Sequence, residues 1–335
     1  MYTCLIDPEL ERVQIGSMRF PLGVYPVEPI EPRQGYAVEF ESADGAEDGS
    51  DLEEWPDRYV FDIVISSEKL PVLVLQFLSL MPLRVYPILD FLGHDDFREI
   101  DPYISYERLG LDRVIDGIRQ FRGFFQEDGM CGFGAMSEEP FFYLFVDEHK
   151  ILTVRAEASL RDRVVALLDA FDLEETPEPV GADAAAHEHR SVLIVPEDQP
   201  NVLAAEEIVG YLRQEWRLTL NVDPESNLDD DGKDLGLTAW RAVVRCARAE
   251  EEPPRYAEVL LWAASLGEAE EITLTAVGVL DGQQTTEESW LESIVLALDR
   301  LTDEHLEAVW GELDKSIRGS LKPREARPIV ARWVE

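Results

Sequence analysis

Apolar positions along this chain fall into two stretches with a similar order of elements. In the first, YVFDIVIS alternates as a strand does, LPVLVLQFLSLM carries a helical face, and RVYPILDFLG returns to a strand. A helix follows near GLDRVIDGIRQFRGFF. PFFYLFVD and KILTVRAE then pair as a hairpin across the short turn at Asp147 to Lys150. SLRDRVVALLDAFDL closes the stretch as an amphipathic helix, with Val164, Leu167, Leu168 and Phe171 on one face.

The second stretch begins with SVLIVPE as a strand. PNVLAAEEIVGYLRQEW follows as a helix with proline near its start, and RLTLNVDPE as another strand. AWRAVVRCARA, YAEVLLWAAS and EITLTAVGVL read as three strands, and EESWLESIVLALDRL as an amphipathic helix. A last helix, TDEHLEAVWGELDKSI, has Thr302 as its N-cap and Gly319 as its stop.

The pattern predicts an α+β fold of two consecutive modules, each a mainly antiparallel sheet with helices on one face. The matching element order is consistent with a diverged tandem repeat. Residues 1–57 form a Pro- and acid-rich segment, with an edge strand around GYAVEF and a polar loop after it. Residues 58–173 are the first module, 174–190 a linker, 191–317 the second module and 318–335 a basic tail, read as solvated or as a strap across an acidic body.

Composition changes this picture mainly through charge. Apolar residues make up 45% and charged residues 30%, enough for a sizeable core, but 69 acids against 30 bases leave a net charge of −39. Such a field repels phosphate backbones and anionic membrane surfaces and attracts cations and basic proteins. Only five of the bases are lysines, Lys69, Lys150, Lys233, Lys315 and Lys322, a composition that a saline habitat also favours. The three cysteines, Cys4, Cys131 and Cys246, are isolated, which fits a reducing compartment. The most apolar window, residues 70–83, is too short to cross about 30 Å of hydrocarbon as a helix. The N-terminus carries no signal-peptide pattern, so a cytoplasmic location is expected.

Four stretches could carry chemistry. NLDDDGKDLG resembles the opening of a calcium loop: with Asn227 at position 1, Asp229 falls at 3, Asp231 at 5 and Gly232 at 6. Position 12, however, is Thr238, which cannot supply a bidentate carboxylate. No cofactor is expected, with calcium at this loop as the alternative. HEHR places His187 and His189 on one side of an extended segment, able to chelate a transition metal. No HExxH or cysteine pair accompanies them, and they lie in the expected linker, so they read as incidental. GHDDFREID gathers His94, Asp95, Asp96, Glu99 and Asp101, a set that could serve metal-assisted hydrolysis. GMCGFGAM puts Cys131 in a glycine-rich run whose glycines suit positive-φ turns, with His94 and His149 as its only possible bases in that half. The turn Asp147, Glu148, His149 reads as an exposed hairpin tip.

The resulting expectation is a non-catalytic acidic protein of immunity, nucleic-acid-mimic or adaptor type, docking on a basic protein partner. Trp55, Trp262, Trp290, Trp310 and Trp333 are its possible anchors. The alternatives are a metal-dependent hydrolase using the carboxylates near His94 or at residues 227–231, and a salt-adapted component of an assembly.

Overall fold

The computed structural model describes residues 2–43, 55–229, 232–247, 254–280, 292–312 and 325–334. The fold is mixed α and β with largely antiparallel sheets. Contacts divide it into two units, residues 1–91 with 102–220, and residues 92–101 with 221–335.

The first unit is built on one long sheet. Its main strands are β4 (Gly35–Glu41), β5 (Arg58–Val64), β6 (Arg84–Leu92), β7 (Ile100–Ile104), β9 (Cys131–Glu138), β10 (Phe141–Val146), β11 (Leu152–Glu157) and β13 (Thr219–Leu220), in the order β13-β7-β6-β9-β10-β11-β5-β4. β8 (Leu109–Gly110) pairs with the start of β6, β1 (Gln14–Ile15) with β2 (Met18–Arg19), and β3 (Val24–Pro26) with β12 (His187–His189). The helices are α1 (Leu70–Leu78), α2 (Leu111–Gln120), α3 (Arg122–Glu127), α4 (Arg161–Ala170) and α5 (Ala205–Glu215).

Alternation explains how the sheet meets these helices. Phe142, Leu144 and Val146 of β10 and Leu152, Val154 and Ala156 of β11 are buried at every second position. They share one core with Leu70, Leu73, Val74, Phe77 and Leu78 of α1, which are spaced for a single helical face, and with Val164 and Leu168 of α4. The 147–150 turn closes the β10–β11 hairpin as expected, with Lys150 at φ 64°. The GYAVEF strand is the outer strand β4.

The expected linker is not a spacer in this structure. Residues 174–190 include strand β12 and bridges from Glu175 to Tyr36 and from Val180 to Arg33, all within the first unit, which continues to Leu220. SVLIVPE makes a single bridge at Leu193 rather than a strand, and RLTLNVDPE contributes only Thr219–Leu220.

The second unit is a four-stranded antiparallel sheet in the order β16-β14-β15-β17, from β14 (Thr238–Ala247), β15 (Arg255–Ala263), β16 (Glu292–Leu301) and β17 (Arg327–Val334), with α6 (Leu266–Leu280) and α7 (Asp303–Glu312). Three elements differ from the sequence reading. EITLTAVGVL belongs to α6: its β-branched residues favour a strand, but the buried Ala269, Thr273, Ala276 and Val277 follow a helical period. EESWLESIVLALDRL contains strand β16. A bulge leaves Leu296 unpaired between Val295↔Val244 and Ala297↔Val243, so consecutive buried residues mimic helical spacing. The basic C-terminal run forms edge strand β17, with Pro328 tolerated at a register shift and Arg332 bound to the buried Glu258 of β15. The two sheets differ in strand number and order, so the topology lends the tandem repeat no support.

Buried charge organises this second unit. Asp95, whose side chain is fully buried, accepts from the Arg300 backbone N–H at 3.0 Å and from its guanidinium at 2.9 Å. Arg98 binds Asp101 at 2.6 Å and lies 3.6 Å from Asp95. Three buried carboxylates, Asp95, Asp101 and Asp299, therefore face two arginines. Burial, together with Asp101 and Asp95, pushes the Asp299 carboxyl up to about 7. The unfolded chain releases this proton near pH 3.9, about the ordinary value, whereas the folded chain keeps it until about pH 7, so stability falls as pH rises across that window. Asp299→Asn is expected to exceed the native chain in stability at pH 8 by about 1–3 kcal/mol, with the gap closing near pH 4, in urea unfolding followed at both pH values.

Candidate metal centre

Three of the five histidines meet at one point in the first unit. His149 sits in the tight turn between β10 and β11, held by Asp147, whose backbone N–H donates to Ile151 and whose carboxylate accepts from the Ile151 N–H at 2.7 Å. His187 and His189 alternate along β12 and so point the same way, and β12 is fixed by pairing Glu188 with Tyr25 and His189 with Val24 on β3.

Their ring nitrogens divide cleanly into two sets. Each Nδ1 has an acceptor: Asp147 Oδ2 at 3.1 Å for His149, the Ala185 carbonyl at 2.7 Å for His187 and the Gly129 carbonyl at 2.8 Å for His189. A carbonyl or carboxylate can only accept, so each Nδ1 carries a hydrogen, and in the neutral ring Nε2 keeps its lone pair. Those three Nε2 atoms converge, at 3.0 Å for His149–His187, 3.0 Å for His187–His189 and 3.3 Å for His149–His189. Three nitrogens on one face of a zinc tetrahedron, at bond lengths of about 2.0–2.1 Å, lie roughly 3.3–3.4 Å apart. The rings stand 72° to 77° from one another, a propeller about a shared axis.

Electrostatics set His149 and His189 apart. Burial disfavours the protonated His149 ring, but the Asp147 carboxylate outweighs it, with Glu148 and Asp183 adding to the effect, and its pKa is raised. Burial holds His189 below its ordinary value, and the neighbouring His149 and His187 act in the same direction. All three rings are half-buried.

A close backbone crossing delivers the acceptor for His189. A Cβ on Gly129 would come within 2.1 Å of the Gly23 carbonyl oxygen, so neither turn could carry a side chain there. The approach lets Arg190 donate its N–H to Gly23 and accept from the Gly129 N–H. Asp128, fully buried, accepts from Met130 N–H, Ser191 Oγ and Val192 N–H, which locks the chain just past His189. Behind the turn, the buried Lys150 donates its Nζ to the Cys131 carbonyl.

The other stretches singled out from sequence have different roles. Burial pushes the Cys131 thiol up to about 12 despite the nearby Lys150 ammonium, so it is not an activated nucleophile. Gly132 and Gly134 lie within β9 without positive φ, and their missing side chains make room for Phe145 and the Leu144 carbonyl; they are not turn glycines. Asp96 binds the Thr302 N–H at 2.6 Å and His305 at 2.7 Å, while Asp95 and Asp101 are bound to arginines, so these three carboxylates are engaged in holding the second unit together, and Glu99 is exposed. Asn227 turns inward, donating to the Gly236 carbonyl and Thr238 Oγ1, with its oxygen 3.3 Å from Arg300. Asp229 accepts from the Lys233 N–H, and Asp231 lies outside the described residues. Trp262 is buried, Trp55 packs against Phe141, and Arg255 covers the Trp333 ring at 3.9 Å; Trp290 and the Trp310 side chain lie outside the described residues.

No family model matches this chain, and comparison with curated proteins and with solved structures finds no match. The site therefore stands on its own geometry. Asp147 orients His149 and raises its basicity, so Asp147→Asn is expected to weaken zinc binding about 10–100-fold, read by competition with a chelating dye.

Proposed function

We propose that the chain is a metal-ion protein in which His149, His187 and His189 hold a zinc-class divalent ion through Nε2 and leave the fourth coordination position to water or a small external ligand. The observation that carries this reading is the convergence of three Nε2 lone pairs whose Nδ1 partners are all already placed. Neutral imidazoles suit zinc, copper, nickel or iron and not the hard oxygen-seeking calcium and magnesium. A triangular face with near-equal edges favours tetrahedral zinc over square-planar copper.

Three neutral ligands leave the ion its full charge of about +2, which lowers the pKa of a bound water toward about 7. Hydration or hydrolysis of a small substrate is the reaction class such a centre supports. The hydrolase alternative raised by the sequence thereby moves from the carboxylates near His94 and residues 227–231 to the histidine cluster. Net charge supports a second, compatible reading, docking of the anionic surface on a basic protein partner. Native-lysate capture is expected to recover such a partner at low salt and lose it at about 0.5 M, beyond the screening distance.

The metal reading is tested by titrating chelator-stripped protein with Co²⁺ and Zn²⁺. One equivalent of Co²⁺ is expected to give the visible bands of a tetrahedral ion, displaced by Zn²⁺. His187→Ala and His189→Ala should abolish them, and His305→Ala should not. A native chain that shows no bands and no zinc-dependent rise in melting temperature overturns the reading. Because a proton and a metal compete for each Nε2, affinity should fall as pH drops through about 6.5, by up to about tenfold per pH unit for each proton displaced. The proton on His149 is held more tightly than that on His189.

A further inference from the structure

The start of β6 borders a cavity of about 270 Å³ lined by Arg84, Arg108, Arg113 and Arg217, with Glu107 as its one acid. In a chain with 30 bases among 69 acids, arginines are expected to be claimed by carboxylates, and several are: Arg12 by Glu127, Arg58 by Glu41, Arg241 and Arg332 by Glu258, and Arg300 by Asp95. In this cavity only Arg217 has such a partner, Glu107. Arg84, Arg108 and Arg113 make no side-chain hydrogen bond or ion pair among the described residues. Local topology places them together: Arg84 pairs with Gly110 across β6 and β8, Arg108 precedes β8, and Arg113 lies in the first turn of α2, whose N-cap, Gly110, has no side chain to cap it. Asp112 occupies the first turn of α2 beside Gly110, so the attraction for an anion comes from the guanidinium forks.

We propose that this cavity is a binding site for a phosphate-class dianion, free or as a compact ester. Four arginines against the lining Glu107 and the adjoining Asp112 leave two positive charges. A monocarboxylate balances one of them, whereas a phosphate monoester or pyrophosphate balances two or more and matches guanidinium forks bidentately. The volume lies just below the range of about 300–1,000 Å³ typical of sites for drug-sized ligands, which favours a compact anion. The site is independent of the metal centre. The far end of β6 pairs Phe91 with Cys131, near the histidines, and seven residues at about 3.3 Å each put Arg84 roughly 23 Å away along the strand.

The test is calorimetry on the full chain with inorganic phosphate, pyrophosphate and ethyl phosphate, in EDTA so that no anion is held by a metal. One-to-one binding is expected, weakened about tenfold or more in R84Q/R113Q and in R108E. It should be unchanged in R119Q, where the altered arginine is exposed on the same helix and faces Asp116. Pyrophosphate binding more tightly than ethyl phosphate identifies a diphosphate as the ligand class, and the reverse identifies an ester. Absence of heat with all three anions, or equal losses in R119Q and R84Q/R113Q, overturns the proposal. Should the double variant fail to fold, R108E and the shift in native melting temperature with pyrophosphate decide it.

Discussion

Three imidazole lone pairs within 3.3 Å of one another repel unless a cation lies among them, and the surrounding backbone is built to keep them there. The costs of that arrangement are visible. Two glycines are needed where the 23 and 129 backbones touch, Lys150 takes a left-handed φ, and Asp128 and Lys150 are buried as charged or chargeable groups. Burial raises the pKa of Asp128 even though it accepts three hydrogen bonds. Each of these is locally unfavourable, and each fixes a segment that carries a histidine or its acceptor. A fold with no use for the cluster could relieve all of them with ordinary side chains.

The second unit handles charge differently. There the buried carboxylates are matched by arginines in direct contact, and Arg300 also packs over Phe97 and against Trp240. Glu258 shows the same economy: burial disfavours its charge, but Arg332 and Arg241 outweigh burial and hold its carboxyl below the usual range. Removing one partner from such a group leaves a buried charge uncompensated, which costs about 3–5 kcal/mol, so these acids are structural. Asp299 is the exception, with neighbours that include two acids and only one nearby arginine to oppose them. The contrast separates acids that hold the sheet together from histidines whose Nε2 atoms have no such partner.

Much of the first unit was legible because its elements obey simple periods. The β10–β11 hairpin alternates strictly, and α1 and α4 carry clean apolar faces. The second unit was misread where a local feature disguised the period. The bulge at Leu296 turned a strand into an apparent helix, and the β-branched residues of α6 turned a helix into an apparent strand. The metal centre was half legible. That His187 and His189 share a side follows from alternation alone, but the third ligand is 38 residues away in a hairpin turn. Only the pairing of β12 with β3, and the crossing of Gly23 with Gly129, bring the two together. The polar, alanine-rich composition of 174–190 resembles a spacer, and nothing in it signals that it is a strand. The signal that was available was the histidine count: three of only five lie in two short acidic segments.

A chain of −39 concentrates every cation near its surface, calcium and magnesium included, so its charge cannot by itself choose a metal. Selection must come from ligand type. Carboxylate clusters would bind hard cations, yet Asp95, Asp96 and Asp101 are engaged by arginines and a backbone N–H, and Asn227 is directed to Arg300. The histidine cluster offers nitrogen instead, from three rings whose Nδ1 atoms are engaged by Asp147, Ala185 and Gly129, with the Asp147 and Glu148 carboxylates beside His149. On the proposed metal reading, the acidic surface would govern how fast a divalent ion arrives, and the histidines which ion stays. That division would let a protein so rich in oxygen ligands direct a nitrogen cluster toward a softer metal.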